Sequence, residues 1–146
     1  MVIFLSNACD NKTIEDSFDI DFEAMDKDAN QINLTVTTRY RLTSRLEKKL
    51  VRRYGRRFQD SLIVPTIRSV SREALVGYSA GEIYNYKRKE IEQKLEGLAK
   101  TAFVEYDIEL TDFLIRSVEL PDTLRRTLEK EHLERLNNKD KQDEKQ

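Results

Sequence analysis

Phe18-Asp19-Ile20-Asp21-Phe22-Glu23-Ala24 and Gln31-Ile32-Asn33-Leu34-Thr35-Val36-Thr37-Thr38-Arg39-Tyr40-Arg41-Leu42 are the two stretches on which the fold turns. In the first, Phe18, Ile20, Phe22 and Ala24 share one parity and Asp19, Asp21 and Glu23 the other. In the second, Ile32, Leu34, Val36, Tyr40 and Leu42 oppose Gln31, Asn33, Thr35, Thr37, Arg39 and Arg41. Strict alternation rich in Ile, Val, Thr and aromatics is the pattern of a strand buried on one face. Asp26-Lys27-Asp28-Ala29-Asn30 between them is turn chemistry, so the two strands should form an antiparallel hairpin. The polar faces differ in sign, acidic on the first strand and basic at the end of the second. Cross-strand charge pairs contribute about 0.2–1 kcal/mol each.

Downstream of Leu42 the period changes. Leu42, Leu46, Leu50, Tyr54 and Phe58 recur every four residues, a helical stripe that Gly55 should break or end. Pro65 suits the first turn of a second helix, with Ile67, Val70 and Ala74 inward and a stop at Gly77. Ser79-Ala80-Gly81-Glu82 has the spacing of a capping box and should open a third helix, with Tyr84, Ile91, Leu95, Leu98 and Ala102 on one stripe. Val104, Tyr106, Ile108 and Leu110 alternate again, and then Phe113 and Ile115 change parity. A strand with a bulge near Thr111-Asp112 is expected. Asp122, after Leu120-Pro121, is a suitable N-cap for a last helix carrying Leu124, Leu128 and Leu136. Beyond Asn137 the residues are all polar, which predicts frayed helix or the beginning of a longer element. The order is that of one α+β domain over about residues 14–121, preceded by a remnant at 1–13 and followed by a helical extension with a polar tail at 122–146.

With 26 basic and 27 acidic residues, the net charge of −1 argues against a dedicated nucleic-acid binder. One Cys excludes an internal disulfide and a Cys-based zinc site. The longest apolar run, Met1 to Leu5, is far below the roughly 20 residues of a membrane span. The run Ser6-Asn7-Ala8-Cys9 bears a faint likeness to a lipoprotein processing site. It lacks the basic start and the longer apolar region of a signal, which favours a strand remnant with a neutral thiol. Asp26, Asp28 and Asn30 match the first ligand positions of an EF-hand loop. Gln31 and Thr37 replace its turn glycine and its bidentate glutamate, so no metal is expected there.

Residues 39–57 hold nine basic side chains against the single acid Glu47, a net of +8. Arg45, Lys48, Lys49, Arg52, Arg53, Arg56 and Arg57 are therefore candidates for contact with anionic lipid, worth about 1 kcal/mol per charge near a membrane surface. The plain alternative is a solvated face balanced by the acidic strand before it. No catalytic or cofactor-binding residues stand out. The serines lack a nucleophile-elbow context, and Gly77 and Gly81 form no phosphate loop. Cys9 and His132 lie at opposite ends, with His132 read as exposed on a helix surface.

Several stretches together resemble the prohibitin/stomatin (band 7, SPFH) family, nearest to its bacterial prohibitin-like branch. They are Asn33-Leu34-Thr35-Val36 leading into Arg39-Tyr40-Arg41-Leu42, then Tyr54-Gly55, and Ile67-Arg68-Ser69-Val70-Ser71-Arg72-Glu73. Tyr78-Ser79-Ala80-Gly81-Glu82-Ile83-Tyr84 and Arg88-Lys89-Glu90-Ile91-Glu92 follow. Phe113-Leu114-Ile115-Arg116-Ser117-Val118-Glu119-Leu120-Pro121 is the most specific. The resemblance implies a curved antiparallel sheet flanked by helices with a C-terminal helix. It also implies a non-enzymatic, membrane-associated scaffold, at the bacterial inner membrane, that assembles with itself or with related family members. A membrane-bound AAA protease is the implied partner, and nucleic acid is not. The family's N-terminal anchor and its long Ala/Glu-rich coiled coil are not seen in this sequence. Weak, concentration-dependent oligomers through Leu124, Leu128 and Leu136 are therefore expected, rather than closed rings. The other classes weighed are a peripheral anionic-lipid binder acting through the basic helix and a hydrolase with no recognisable motif.

Overall fold

The computed structural model describes residues 12–145, so Cys9 and the remnant before Lys12 lie outside the described residues. Two strands, β1 (Thr13–Met25) and β2 (Gln31–Thr43), are followed by α1 (Ser44–Tyr54). A π-helical turn over Gln59–Ile63 runs directly into α2 (Val64–Leu75), and a second π turn (Glu82–Tyr86) precedes α3 (Arg88–Val104). β3 (Glu109–Glu119) and α4 (Asp122–Asp143) complete the described chain. The strands form an antiparallel sheet in the order β1-β2-β3. This is the α+β arrangement expected, with helices packed against a curved sheet.

The hairpin is unbroken in register from Thr13↔Thr43 to Met25↔Gln31. Because side chains alternate, this register places Ile20, Phe22 and Ala24 beside Val36, Leu34 and Ile32 on one buried face. β3 adds Leu110, Phe113, Ile115 and Val118 to that face, and α2 and α3 cover it with Ile67, Leu75, Ile91, Leu95 and Phe103. β3 pairs with β2 through two register shifts. One skips Thr111, where the parity change foretold a bulge, and the other skips Arg116. Each extra residue restores the buried parity of the next apolar side chain and adds local twist.

The third helix departs from expectation in three ways. Its capping box forms, with the Ser79 N–H donating to Glu82 Oε2 at 2.9 Å and the Glu82 N–H to Ser79 Oγ at 3.2 Å. It opens only the π turn, and the backbone breaks at Lys87 (φ −123°) before α3 begins. The buried stripe of α3 then runs through Ile91, Leu95, Ala99 and Phe103, while Leu98 is 40% exposed. Finally, Val104 belongs to α3 and Tyr106 to the turn after it, not to the strand. Phe103 is fully buried and holds the helix to its end. Its carbonyl accepts the N–H groups of Tyr106 and Ile108, and Asp107 makes the turn at φ 57°. At the last helix, Pro121 is the cap residue and Asp122 sits in the first turn, its carboxylate 3.3 Å from Arg125. The polar tail is helical to Asp143.

Part of the edge of each outer strand is occupied by side chains from the helices. Arg68 and Arg72, one turn apart on α2, donate to the carbonyls of Asp21 (2.9 Å) and Glu23 (2.8 Å) on β1. On β3, the Ile115 carbonyl accepts from Arg88 at 2.7 Å and its N–H donates to Glu92 at 2.8 Å. Occupied edges of this kind oppose strand-to-strand aggregation.

Asp26 joins the hairpin to the helical layer. Its carboxylate accepts the N–H groups of Asp28 (2.9 Å), Asn30 (2.8 Å) and Ala80 (2.8 Å), and the Asn30 side-chain amide at 2.9 Å. The Lys27 N–H donates to the Tyr78 carbonyl at 2.8 Å beside it. Burial raises the pKa of this carboxyl, but its four hydrogen bonds outweigh that and hold it below the ordinary aspartate value. A depressed folded-state pKa stabilises the fold above the unfolded value near 4, and the contribution is lost as pH falls through the folded value. Asp26→Ala should cost about 1–3 kcal/mol in urea unfolding at pH 7, since it leaves the buried Ala80 N–H without its acceptor. The gap between wild type and variant should narrow on acidification below about pH 4.

Candidate functional site

The cationic surface is a consequence of how α1 is anchored. Thr43 Oγ1 accepts the Leu46 N–H at 3.2 Å as the N-cap, and Gly55 ends the helix at φ 90°, where a side chain would be strained. Between these ends Leu50 is buried, and Leu46, Val51 and Tyr54 pack partly against the core. Every apolar position of the helix is thereby turned inward. Arg45, Lys48, Lys49, Arg52 and Arg53 are left exposed on the helix, and Arg56 and Arg57 in the turn after it.

These seven cations do not act as one group. Arg57 pairs with Asp60 at 2.7 Å, and the Arg53 guanidinium lies 5.5 Å from the centre of the Tyr54 ring. Arg45, Lys48, Lys49 and Arg52 instead line an open groove of about 600 Å³ with Thr43, Leu46 and Asp107. A second depression of about 600 Å³, lined by Arg41, Lys100 and Val104 among others, shares Asp107 with it. Arg41 there is committed to Glu109 by two bonds of 2.7 Å. Lipid contact through α1 would therefore be electrostatic alone, because the apolar stripe that could enter a bilayer is spent on the core.

The remaining expected residues lie on α4. Leu128 is buried, and Leu124 packs partly against the core of its own domain. A β-carbon on Gly81 would come within 3.3 Å of Leu128 Cδ2, so glycine there leaves α4 room to approach, and a side chain would make Leu128 give by a few tenths of an ångström. Beside that contact, the Tyr86 ring is 6.0 Å from the His132 ring and 4.6 Å from the Arg135 guanidinium. His132 is half-buried against Tyr86 rather than exposed. Leu133 and Leu136 point away, 60% and 46% exposed. The three leucines expected to serve one oligomer contact are thus divided, two to the chain's own domain and one to solvent.

Burial pushes the Tyr40 hydroxyl up to about 12; a bond from Gln59 works against this, and the Asp16 carboxylate 3.4 Å away adds to it. Tyr40 therefore stays protonated at neutral pH. No three His, Cys, Asp or Glu side chains converge as a metal site among the described residues. In the EF-hand-like stretch, the Asp26 oxygens face N–H donors, a geometry incompatible with a cation.

Leu128→Ala should loosen α4 before anything else. A truncation of this kind costs about 2–5 kcal/mol in a closed core and less at an edge, where the site can collapse. Amide hydrogen exchange should rise across residues 122–136, with β1 and β2 protected as before. Uniform acceleration over the whole chain would place Leu128 in the global core instead.

A family model described as SPFH domain / Band 7 family matches residues 9–146. No curated protein matches the chain.

Proposed function

The chain belongs to the SPFH/Band 7 family, since that match takes in nearly its whole length, and from this premise we propose that it is an assembly module of the prohibitin-like kind. The family is one of membrane-associated, generally non-catalytic scaffolds whose members generally oligomerise. Applied to this chain, residues 14–121 are the SPFH domain and 122–146 its helical extension. Its oligomers would organise membrane proteins or regulate a membrane-bound AAA protease at the bacterial inner membrane.

The observation that carries this reading is the extent of the family match. It takes in the sheet, the helical layer and the extension formed by α4 together. The character of the surface supports it. The groove beside α1 is open and lined mostly by long charged side chains, whereas catalytic pockets are concave and mostly apolar with a few convergent polar groups. No helix of the described residues is long and apolar enough to cross a membrane.

Expressed from its native locus, the protein should sediment with membranes and migrate in mild detergent as a complex many times its own mass. Deleting it should alter the half-life of membrane proteins degraded by an AAA protease at least two-fold in a chase experiment. Reproducible hydrolase turnover abolished by a single substitution, with no effect on membrane-protein half-lives, would overturn the reading.

A further inference from the structure

We propose that the cationic face of α1 docks on the carboxylate-rich end of the free sheet face of a second copy of this chain. This rests on the reading above, that the chain assembles, and names the contact through which it does so.

The free face of the sheet is ordered in rows by its register. Glu15–Arg41–Glu109 and Ser17–Arg39–Asp112 lie at one end, where charges of both signs alternate. Toward the hairpin, Asp19 lies beside Thr37, Asp21 beside Thr35, and Glu23–Asn33–Glu119 closes the face. Four carboxylates thus collect at this end, with Arg116 as the cation contributed by β3 and Arg68 and Arg72 held at the outer edge of β1 by the Asp21 and Glu23 carbonyls. Asp19 and Asp21 accept hydroxyl bonds from Thr37 and Thr35, which fixes their rotamers on the surface without neutralising them. A carboxylate already held in place loses less side-chain freedom when it pairs.

The complementary surface is on another element of the same chain. Arg45, Lys49 and Arg52 occupy i, i+4 and i+7 of α1, are exposed, and have no carboxylate partner among the described residues. At about 1.5 Å rise per residue they span about 10 Å. Asp19, Asp21 and Glu23, two residues apart on a strand, span about 13 Å at about 3.3 Å per residue. The two rows are therefore comparable in length and opposite in sign.

Two further features favour a second copy over a membrane. The net charge of −1 removes the long-range repulsion that would keep copies apart, while the segregation of charge leaves them attractive in one orientation. The apolar residues of α1 face its own core, so a bilayer would gain only the electrostatic part of the usual interaction. Because a helix on one copy meets a sheet on the next, the contact is heterologous. Repeating it gives a ring or a filament according to the rotation it imposes.

The test is sedimentation velocity on the full chain with two charge reversals. One variant carries Arg45→Glu, Lys49→Glu and Arg52→Glu, and the other Asp19→Lys, Asp21→Lys and Glu23→Lys. All six positions are exposed, so circular dichroism should be unchanged. Wild type should form oligomers at low salt that dissociate toward about 0.5 M NaCl, as the screening length falls to a few ångströms. Each variant alone should weaken association at least ten-fold. An equimolar mixture of the two should restore it, because each then offers the other an opposite surface. Oligomers that survive both reversals would overturn this contact and leave the assembly reading standing on another surface, such as Leu133 and Leu136. A wild type monomeric at low salt would overturn both. If only the α1 reversal matters, and it abolishes binding to phosphatidylglycerol vesicles, then α1 faces lipid and the proposal fails.

Discussion

One buried carboxylate connects the two halves of this fold. Asp26 closes the β1–β2 turn through the N–H groups of Asp28 and Asn30, and with its other oxygen reaches the Ala80 N–H at the start of the helical segment that leads to α3. A hydrogen bond to an ionised, shielded acceptor is stronger than a neutral one, and losing it leaves donors unsatisfied. Much depends on this junction. It sets where the hairpin meets residues 78–80, and Gly81 next to it receives Leu128 of α4. The placement of the C-terminal helix is thus tied to a turn about a hundred residues earlier.

The second organising constraint is one-sided burial. The helical layer covers a single face of the sheet, and paired side chains from α2 and α3 occupy the outer edges of β1 and β3. An arginine spent on a strand carbonyl forgoes a surface ion pair, which is worth little in any case. What it secures is a stretch of edge that is less able to template another strand. Among the surfaces left for partners are the polar sheet face, the cationic side of α1 and the far turns of α4. For a scaffold this is a useful division, since association then depends on charge and geometry rather than on exposed backbone.

The family assignment and the physical surface bear on different questions. Membership says that the chain is built like membrane-associated scaffolds. Its own surface says how a copy could meet its neighbour, because opposite charges are gathered on separate elements while the total stays near zero. A heterologous contact made from such charges would be strong at low ionic strength and adjustable by it. Such a contact would be more readily reversed than a permanent apolar interface.

Much of this was legible from residue order alone, for a physical reason. Alternation in 18–24 and 31–42, the capping box at Ser79 and Glu82, the helix stop at Gly55 and the parity change near Thr111 are local. Each depends on a few neighbouring residues and on backbone geometry that does not vary with context. The sign of the two strand faces was readable in the same way. The alternating Val104 and Tyr106 misled because four residues of period two also fit the end of a helix, and only the burial of Phe103 decides between them. The same holds for the leucines of α4: spacing placed Leu124, Leu128 and Leu136 on one stripe, but not which of them the domain would claim. Gly81 against Leu128, Tyr86 against His132, and Arg68 and Arg72 on the edge of β1 join residues some 45 to 50 positions apart. No periodicity encodes such contacts, because they exist only once the helical layer has settled on the sheet, and packing then decides which side chains remain for a partner.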